Sequence, residues 1–149
     1  MKSKNKGFTL IELLVVIAIL GLLATIVLVS LNSGRMKSRD VKRKADLRQI
    51  SVAMELYFNT NNAYPSYAVD SCSATGVTGC TGVYPLAIGT FISAMPRDPS
   101  NNTTRYYRVK ASTGANFCVI AANLENESAA YYVSEKGLGT AAAGAISCP

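Results

Sequence analysis

The sequence predicts an α+β protein: a long N-terminal helix, hydrophobic in its first half and amphipathic in its second, packed on a small antiparallel β-sheet. Three observations predict it. Residues 8–31, FTLIELLVVIAILGLLATIVLVSL, are almost wholly apolar, and no charged side chain occurs from Leu13 to Gly34. Between Asp40 and Asn61 the apolar positions Leu47, Ile50, Ala53, Met54, Tyr57 and Phe58 recur at steps of three and four, which traces one stripe of a helix. Three later runs concentrate the β-branched and aromatic residues that suit pleated strands.

The first seven residues, MKSKNKG, are polar and basic. The 22 uncharged residues that begin at Leu13 span roughly 33 Å as a helix, enough to cross a hydrocarbon layer. Lys2, Lys4 and Lys6 precede the segment, and Arg35, Lys37, Arg39, Lys42, Arg43 and Lys44 follow it, so basic residues alone do not orient it. A secretory signal peptide has a shorter apolar core and a small-residue cleavage site after it; neither is present. No proline or clear cap separates Leu31 from the amphipathic stretch, so one helix is predicted over about residues 9–61. Asn32-Ser33-Gly34 is where a break into two helices would fall.

After Asn61 the composition turns to Ser, Thr, Gly, Asn and Pro. Residues 62–104 read as a long loop, with a short helical turn at 91–95 ended by Pro96-Arg97-Asp98-Pro99. Strands are predicted at 105–111, 116–123 and 129–135, joined through Ser112-Thr113-Gly114 and Glu125-Asn126-Glu127. They form a meander over 105–135, one face on the helix stripe. The tail, 136–149, is rich in small residues and reads as loose apart from its cysteine.

Composition excludes several functions. Among 149 residues, 49% are hydrophobic and 16% charged, too apolar for a disordered chain. There is no histidine, so triads and metal sites that need imidazole are excluded. No spacing of Ser, Lys or carboxylates suggests catalysis, and no G-x-x-x-x-G-K-[ST] loop occurs. A non-enzyme without cofactor or metal is expected. The net charge is +6, but without the three leader lysines the side chains carry only +3. Arg105, Arg108 and Lys110 interleave with Tyr106 and Tyr107, which reads as exposed charge alternating with packed aromatics. Nucleic acid is not expected as a direct partner. The run from Arg35 to Arg48 holds seven Lys/Arg and two Asp; it reads as a juxtamembrane cluster facing anionic headgroups.

Cys72, Cys80, Cys118 and Cys148 all follow the apolar segment, consistent with an oxidising exterior, and allow three pairings. The favoured one joins Cys72 to Cys80 inside the loop and Cys118 to Cys148, pinning the tail to a strand. Closing that second loop would add about 3.5 kcal/mol. A zinc site lacks both C-x-x-C spacing and histidine. Asn101, Asn102 and Asn126 fit N-x-[ST], a pattern too frequent by chance to carry weight.

The most specific motif is K-G-F-T-L-I-E at Lys6 to Glu12. A basic leader ends in glycine, a hydrophobic residue follows, and a single acid lies five residues into an apolar helix. This resembles the class III signal of type IV pilins and type II secretion pseudopilins, over residues 1–61. The resemblance implies a pilin-like fold, in which 1–7 is a leader, 8–34 the membrane and assembly helix, and 35–149 the head, with helix continuation 35–61. It implies cleavage by a prepilin peptidase between Gly7 and Phe8, N-methylation at Phe8, and filament assembly through Glu12. Many relatives carry a proline where Val29 stands here; this chain has none before Pro65.

Elementary physics supports those roles. Glycine lets the backbone lie extended in a protease cleft. Cutting there creates an ammonium at Phe8, the natural partner of Glu12, whose ionised carboxylate is costly within a membrane. In the family that amine belongs to the neighbouring subunit. An all-round apolar helix leaves lipid only when other helices of the same kind replace the acyl chains, which implies a head-to-tail polymer.

The expected partners are itself and other pilins, the peptidase, an inner-membrane assembly platform with its ATPase, and membrane lipid before assembly. The expected product is a type IV pilus-like filament for adhesion, motility or DNA uptake. The alternatives are a periplasmic pseudopilus of type II secretion, or a monomeric membrane-anchored binding protein. Pro96-Arg97-Asp98-Pro99 resembles pseudopilins, and the tail cysteine resembles pilins. Some pseudopilins hold calcium near the turn that here reads Asn123, Glu125, Asn126, Glu127 and Ser128. With two carboxylates and no Asp-x-Asp pattern, a solvated hairpin is predicted instead.

Overall fold

The computed structural model describes residues 7–82, 84, 88–110, 112, 114–142 and 148. The basic residues of the leader lie outside them. The architecture is α+β, as the sequence predicts. Helix α1 (Leu10–Asn61) runs without interruption through Gly21, Val29 and Gly34, so the two-helix alternative fails. Each interior glycine costs about 1 kcal/mol against alanine, which a helix of this length absorbs. It ends at Asn62, whose φ of 53° is left-handed and whose N–H donates to the Phe58 carbonyl at 2.8 Å. Asparagine tolerates this conformation and so closes the helix. The chain divides into two compact units at Arg35 and Met36.

In the second unit, five strands form one sheet in the order β1-β2-β3-β4-β5, each neighbour antiparallel. They are β1 (Ser71–Cys72), β2 (Tyr107–Val109), β3 (Cys118–Ala121), β4 (Ala129–Ser134) and β5 (Gly137–Ala142). Register aligns Tyr107 with Ala121 and Tyr131, and Val109 with Val119 and Val133. Both rows join Leu47, Ile50, Ala53 and Met54 of α1 in one buried core. The period-2 alternation of the strands thus meets the 3.6 period of the helix. Tyr64 and Phe117 close one end of this core, with ring centroids 4.8 Å apart.

Three expectations are corrected. Residues 62–104 are not all loop, because Ser71–Cys72 pairs with Val109 and Arg108 as the first edge strand. No helical turn forms at 91–95. Instead, Ile88 N–H donates to the Ile92 carbonyl at 3.2 Å, a tight turn that uses Gly89 at φ 54°. The tail is not loose through Ala142, because β5 pairs with β4 over six residues; residues 143–147 and 149 lie outside those described. Gly139 faces Tyr132, and a β-carbon there would lie 2.5 Å from the tyrosine oxygen. The absent side chain is what lets the ring lie across β5, a pairing that a scale of strand propensity does not register.

Candidate assembly site

Thr9 and Glu12 build the start of α1 between them. The Glu12 carboxylate accepts from the Thr9 N–H at 2.9 Å and from the Thr9 hydroxyl at 2.6 Å, while the Glu12 N–H donates back to the Thr9 oxygen at 3.3 Å. This is a reciprocal capping box, which satisfies donors that the first helical turn leaves unpaired. Sequence reasoning gave Glu12 a role and missed Thr9. The signal was present, as T-x-x-E before an apolar run. Glu12 also sits in the first turn, where the helix dipole favours an anion.

Among the described residues of the first unit, nothing covers the apolar surface. Phe8 is 82% exposed, and Leu10, Ile17, Leu22, Ile26 and Leu28 each exceed half exposure. A β-carbon at Gly7, Gly21 or Gly34 would meet no atom within 4 Å. An apolar surface this extensive marks a membrane or an assembly contact, not a free state in water. Gly7 and Phe8 lie together, exposed, ahead of the capped helix.

The head places the remaining predicted residues. Sulfur bonds join Cys72 to Cys80 and Cys118 to Cys148, with Cα separations of 5.7 and 5.9 Å. Three segments converge on Arg43, which is fully buried. Its Nε donates to Asp98 at 2.7 Å and its Nη1 to Asp40 at 2.7 Å, with Glu125 at 2.9 Å. Arg39 forms a two-pronged pair with Glu125. Asp40 also accepts the backbone N–H groups of Glu125 and Asn126, and Asp98 those of Ser100 and Asn101. Helix, loop and β3–β4 connection are thereby locked together.

Two expectations change as a result. The basic run, expected to face anionic headgroups, is partly turned inward: Arg39, Lys42, Arg43 and Lys44 pair within the head, while Arg35, Lys37 and Arg48 stay exposed. The turn at 123–128 is a solvated hairpin only in part: Asn126, Glu127 and Ser128 are exposed, but Glu125 faces inward with its side chain only 6% exposed. Residues 105–110 are similarly engaged. Arg108 and Lys110 pair with Asp70, and the buried Tyr107 donates its hydroxyl proton to Asp46 at 2.8 Å. Burial and the Asp46 contact raise the Tyr107 phenol well above its ordinary range. Among the described residues no group of three His, Cys, Asp or Glu side chains is placed to hold a metal.

The hydrogen bonds from Arg39, aided by Arg43 and opposed by burial, lower the Glu125 carboxyl from 4.5 to about 2. The stabilisation is therefore complete above pH 4.5 and lost as pH falls through about 2. Acid is expected to remove about 2–3 kcal/mol of head stability across that window. Urea unfolding of the detergent-solubilised chain at pH 6, 4 and 3 measures the loss, and Glu125→Gln should flatten it.

Comparison with known proteins agrees with this architecture. Residues 2–28 match the family model described as the prokaryotic N-terminal methylation motif. The chain is 33% identical over 105 residues to the type II secretion system core protein G of Vibrio cholerae serotype O1, covering 69% of this chain and 70% of that protein. It is 30% identical over 104 residues to the core protein G of Escherichia coli K12, covering 67% and 70%. It is 34% identical over 65 residues to the type IV major pilin protein PilA of Myxococcus xanthus, covering 44% and 30%. No solved structure matches. With the methylation motif at its start and two-thirds of its length aligned with the two core proteins G, the chain belongs to the type IV pilin and type II secretion pseudopilin family of filament subunits.

Proposed function

We propose that the chain is a subunit of a type II secretion pseudopilus, a short periplasmic filament, in preference to a surface-displayed type IV pilus. The observation that carries this is alignment length. The matches to the core protein G of Vibrio cholerae and of Escherichia coli run over 105 and 104 residues, twice the 52 residues of α1, so they include head sequence, whereas some other core proteins G align over 63 to 66 residues. The match to the Myxococcus pilin spans 65 residues, little more than the helix. This reverses the order suggested by sequence reading, and for a physical reason. The N-terminal motif serves insertion, cleavage and helix packing, which both branches share, so it does not separate them.

In this reading the precursor spans the inner membrane once, and a prepilin peptidase cuts between Gly7 and Phe8. The Phe8 amine is methylated, and an assembly platform with its ATPase draws the subunit from lipid into the filament. The chain's own contribution is structural, without catalysis or cofactor. Mass spectrometry of the cellular protein is expected to give a polypeptide lacking MKSKNKG and heavier by one methyl group. An intact N-terminus would remove the filament reading altogether. Immunogold labelling separates the branches: label reached only after the outer envelope is opened supports the pseudopilus, and label along surface fibres selects the type IV pilus.

A further inference from the structure

The head holds a cavity of about 390 Å³ that the features of assembly do not use. Its walls are fixed from several sides. The Cys72–Cys80 bridge forms one of them, tying the loop back to β1. The buried Tyr84 forms another, its hydroxyl donating to the Pro96 carbonyl at 2.7 Å. Thr75 contributes a hydroxyl, and Gly76, at φ 75°, leaves the adjoining surface bare of side chain.

Arg97 supplies the charge. Its Nη1 donates to the Ser73 carbonyl at 3.4 Å, and its guanidinium carbon lies 6.0 Å from the centre of the Tyr84 ring. Arg39, Arg43 and Arg108 bind carboxylates at 3.0 Å or less, and Arg105 approaches Glu125 at 3.9 Å. Arg97 is an exposed residue that lines the cavity, and among the described residues it has no carboxylate within ion-pair distance. A guanidinium held over an aromatic face keeps most of its donor fork available for a planar anion.

We propose that this cavity binds a small free carboxylate, about the size of a monosaccharide or a single aromatic ring. The carboxylate pairs with the Arg97 fork, and the body of the ligand lies against Tyr84 and the disulfide, within hydrogen-bonding reach of the hydroxyl of Thr75. The volume lies near the lower end of the range for small-molecule sites, and its mixture of apolar wall and few polar groups is the usual composition of one. Burial holds the Tyr84 phenol above its ordinary value, so the ring brings no competing anion.

The test uses the full chain in non-ionic detergent, with the arginine side-chain N–H signals followed by NMR. The probes are galacturonate and benzoate, and their neutral counterparts galactose and benzamide are controls. The Arg97 signal is expected to shift saturably with at least one acid, with Kd of order 1 mM, and not with its neutral counterpart. The probe that binds distinguishes a sugar acid from an aromatic acid. Arg97→Gln should abolish the shift of the neighbouring backbone signals, and Arg97→Lys should weaken binding at least about tenfold. Arg48→Gln, at an exposed position outside the cavity, should leave binding unchanged. Absence of a saturable shift, an equal response to the neutral probes, an equal response at Arg48, or undiminished binding by a folded Arg97→Gln variant would each overturn the proposal.

Discussion

Arg43→Ala is expected to destabilise the head by about 3–5 kcal/mol, because it leaves Asp40 and Asp98 buried without their counter-charge. Domains of this size have only about 5–15 kcal/mol in total, so the variant should stand close to unfolding at growth temperature. Burial works against the charge of Arg43, but Asp98, Asp40 and Glu125 outweigh it and raise its pKa further still. Arg43→Lys should recover only part of the loss. An ammonium supplies the charge but cannot reach Asp98 through Nε and Nη2 while Nη1 serves Asp40. Replacing Arg43 by methionine and Asp98 by leucine together should cost less than either single change, since no unpaired carboxylate then remains at position 98. Thermal unfolding of the solubilised chain, followed by the near-ultraviolet signal of its tyrosines, measures all five variants, the two singles included. A double variant no more stable than the singles would show that desolvated charge is not the cause.

This cluster also marks the boundary of what the sequence discloses. The helix was legible because the stripe Leu47, Ile50, Ala53, Met54, Tyr57 and Phe58 announces a buried face by spacing alone; the first four are buried, Tyr57 is half-buried against the core and Phe58 is exposed. The three central strands were legible because Tyr107, Val109, Val119, Tyr131 and Val133 are intrinsically suited to a pleated surface. β5 was not, since GLGTAA carries only one such residue, Thr140, and owes its form to pairing with β4. Ser71–Cys72 is too short to show any period. Arg43 was misread for a different reason. Charged residues are almost never fully buried unless paired, and its partners Asp98 and Glu125 lie 55 and 82 positions away in the chain. No local pattern announces such a site. Thr9 is the opposite case, because its T-x-x-E motif before an apolar run is complete in the sequence itself.

Those two assignments of Glu12 lead to different expectations, and substitution separates them. Glu12→Ala removes both the cap and the charge. It should leave membrane insertion intact, because the apolar segment is unchanged, yet lower filament assembly by about 10²-fold or more, the equivalent of about 3 kcal/mol lost from a desolvated pair. Glu12→Gln is the informative variant. Glutamine still serves at this position of a capping box, so helix initiation through Thr9 persists while the anion is lost. If the residue acts only as a cap, Glu12→Gln subunits assemble normally. If the carboxylate pairs with the Phe8 ammonium of a neighbour, as the family resemblance implies, they should fail about as severely as Glu12→Ala. Thr9→Ala tests the cap from the other side and should cost the helix start about 1 kcal/mol, a milder defect. The fraction of mature subunit pelleting as sheared filament, against the fraction extracted with membranes, reads each variant. The expected order is wild type, then Thr9→Ala, then Glu12→Gln and Glu12→Ala together. The physical reason is that an exposed cap contributes little where water can substitute for it, whereas an ion pair closed between helices has no such substitute.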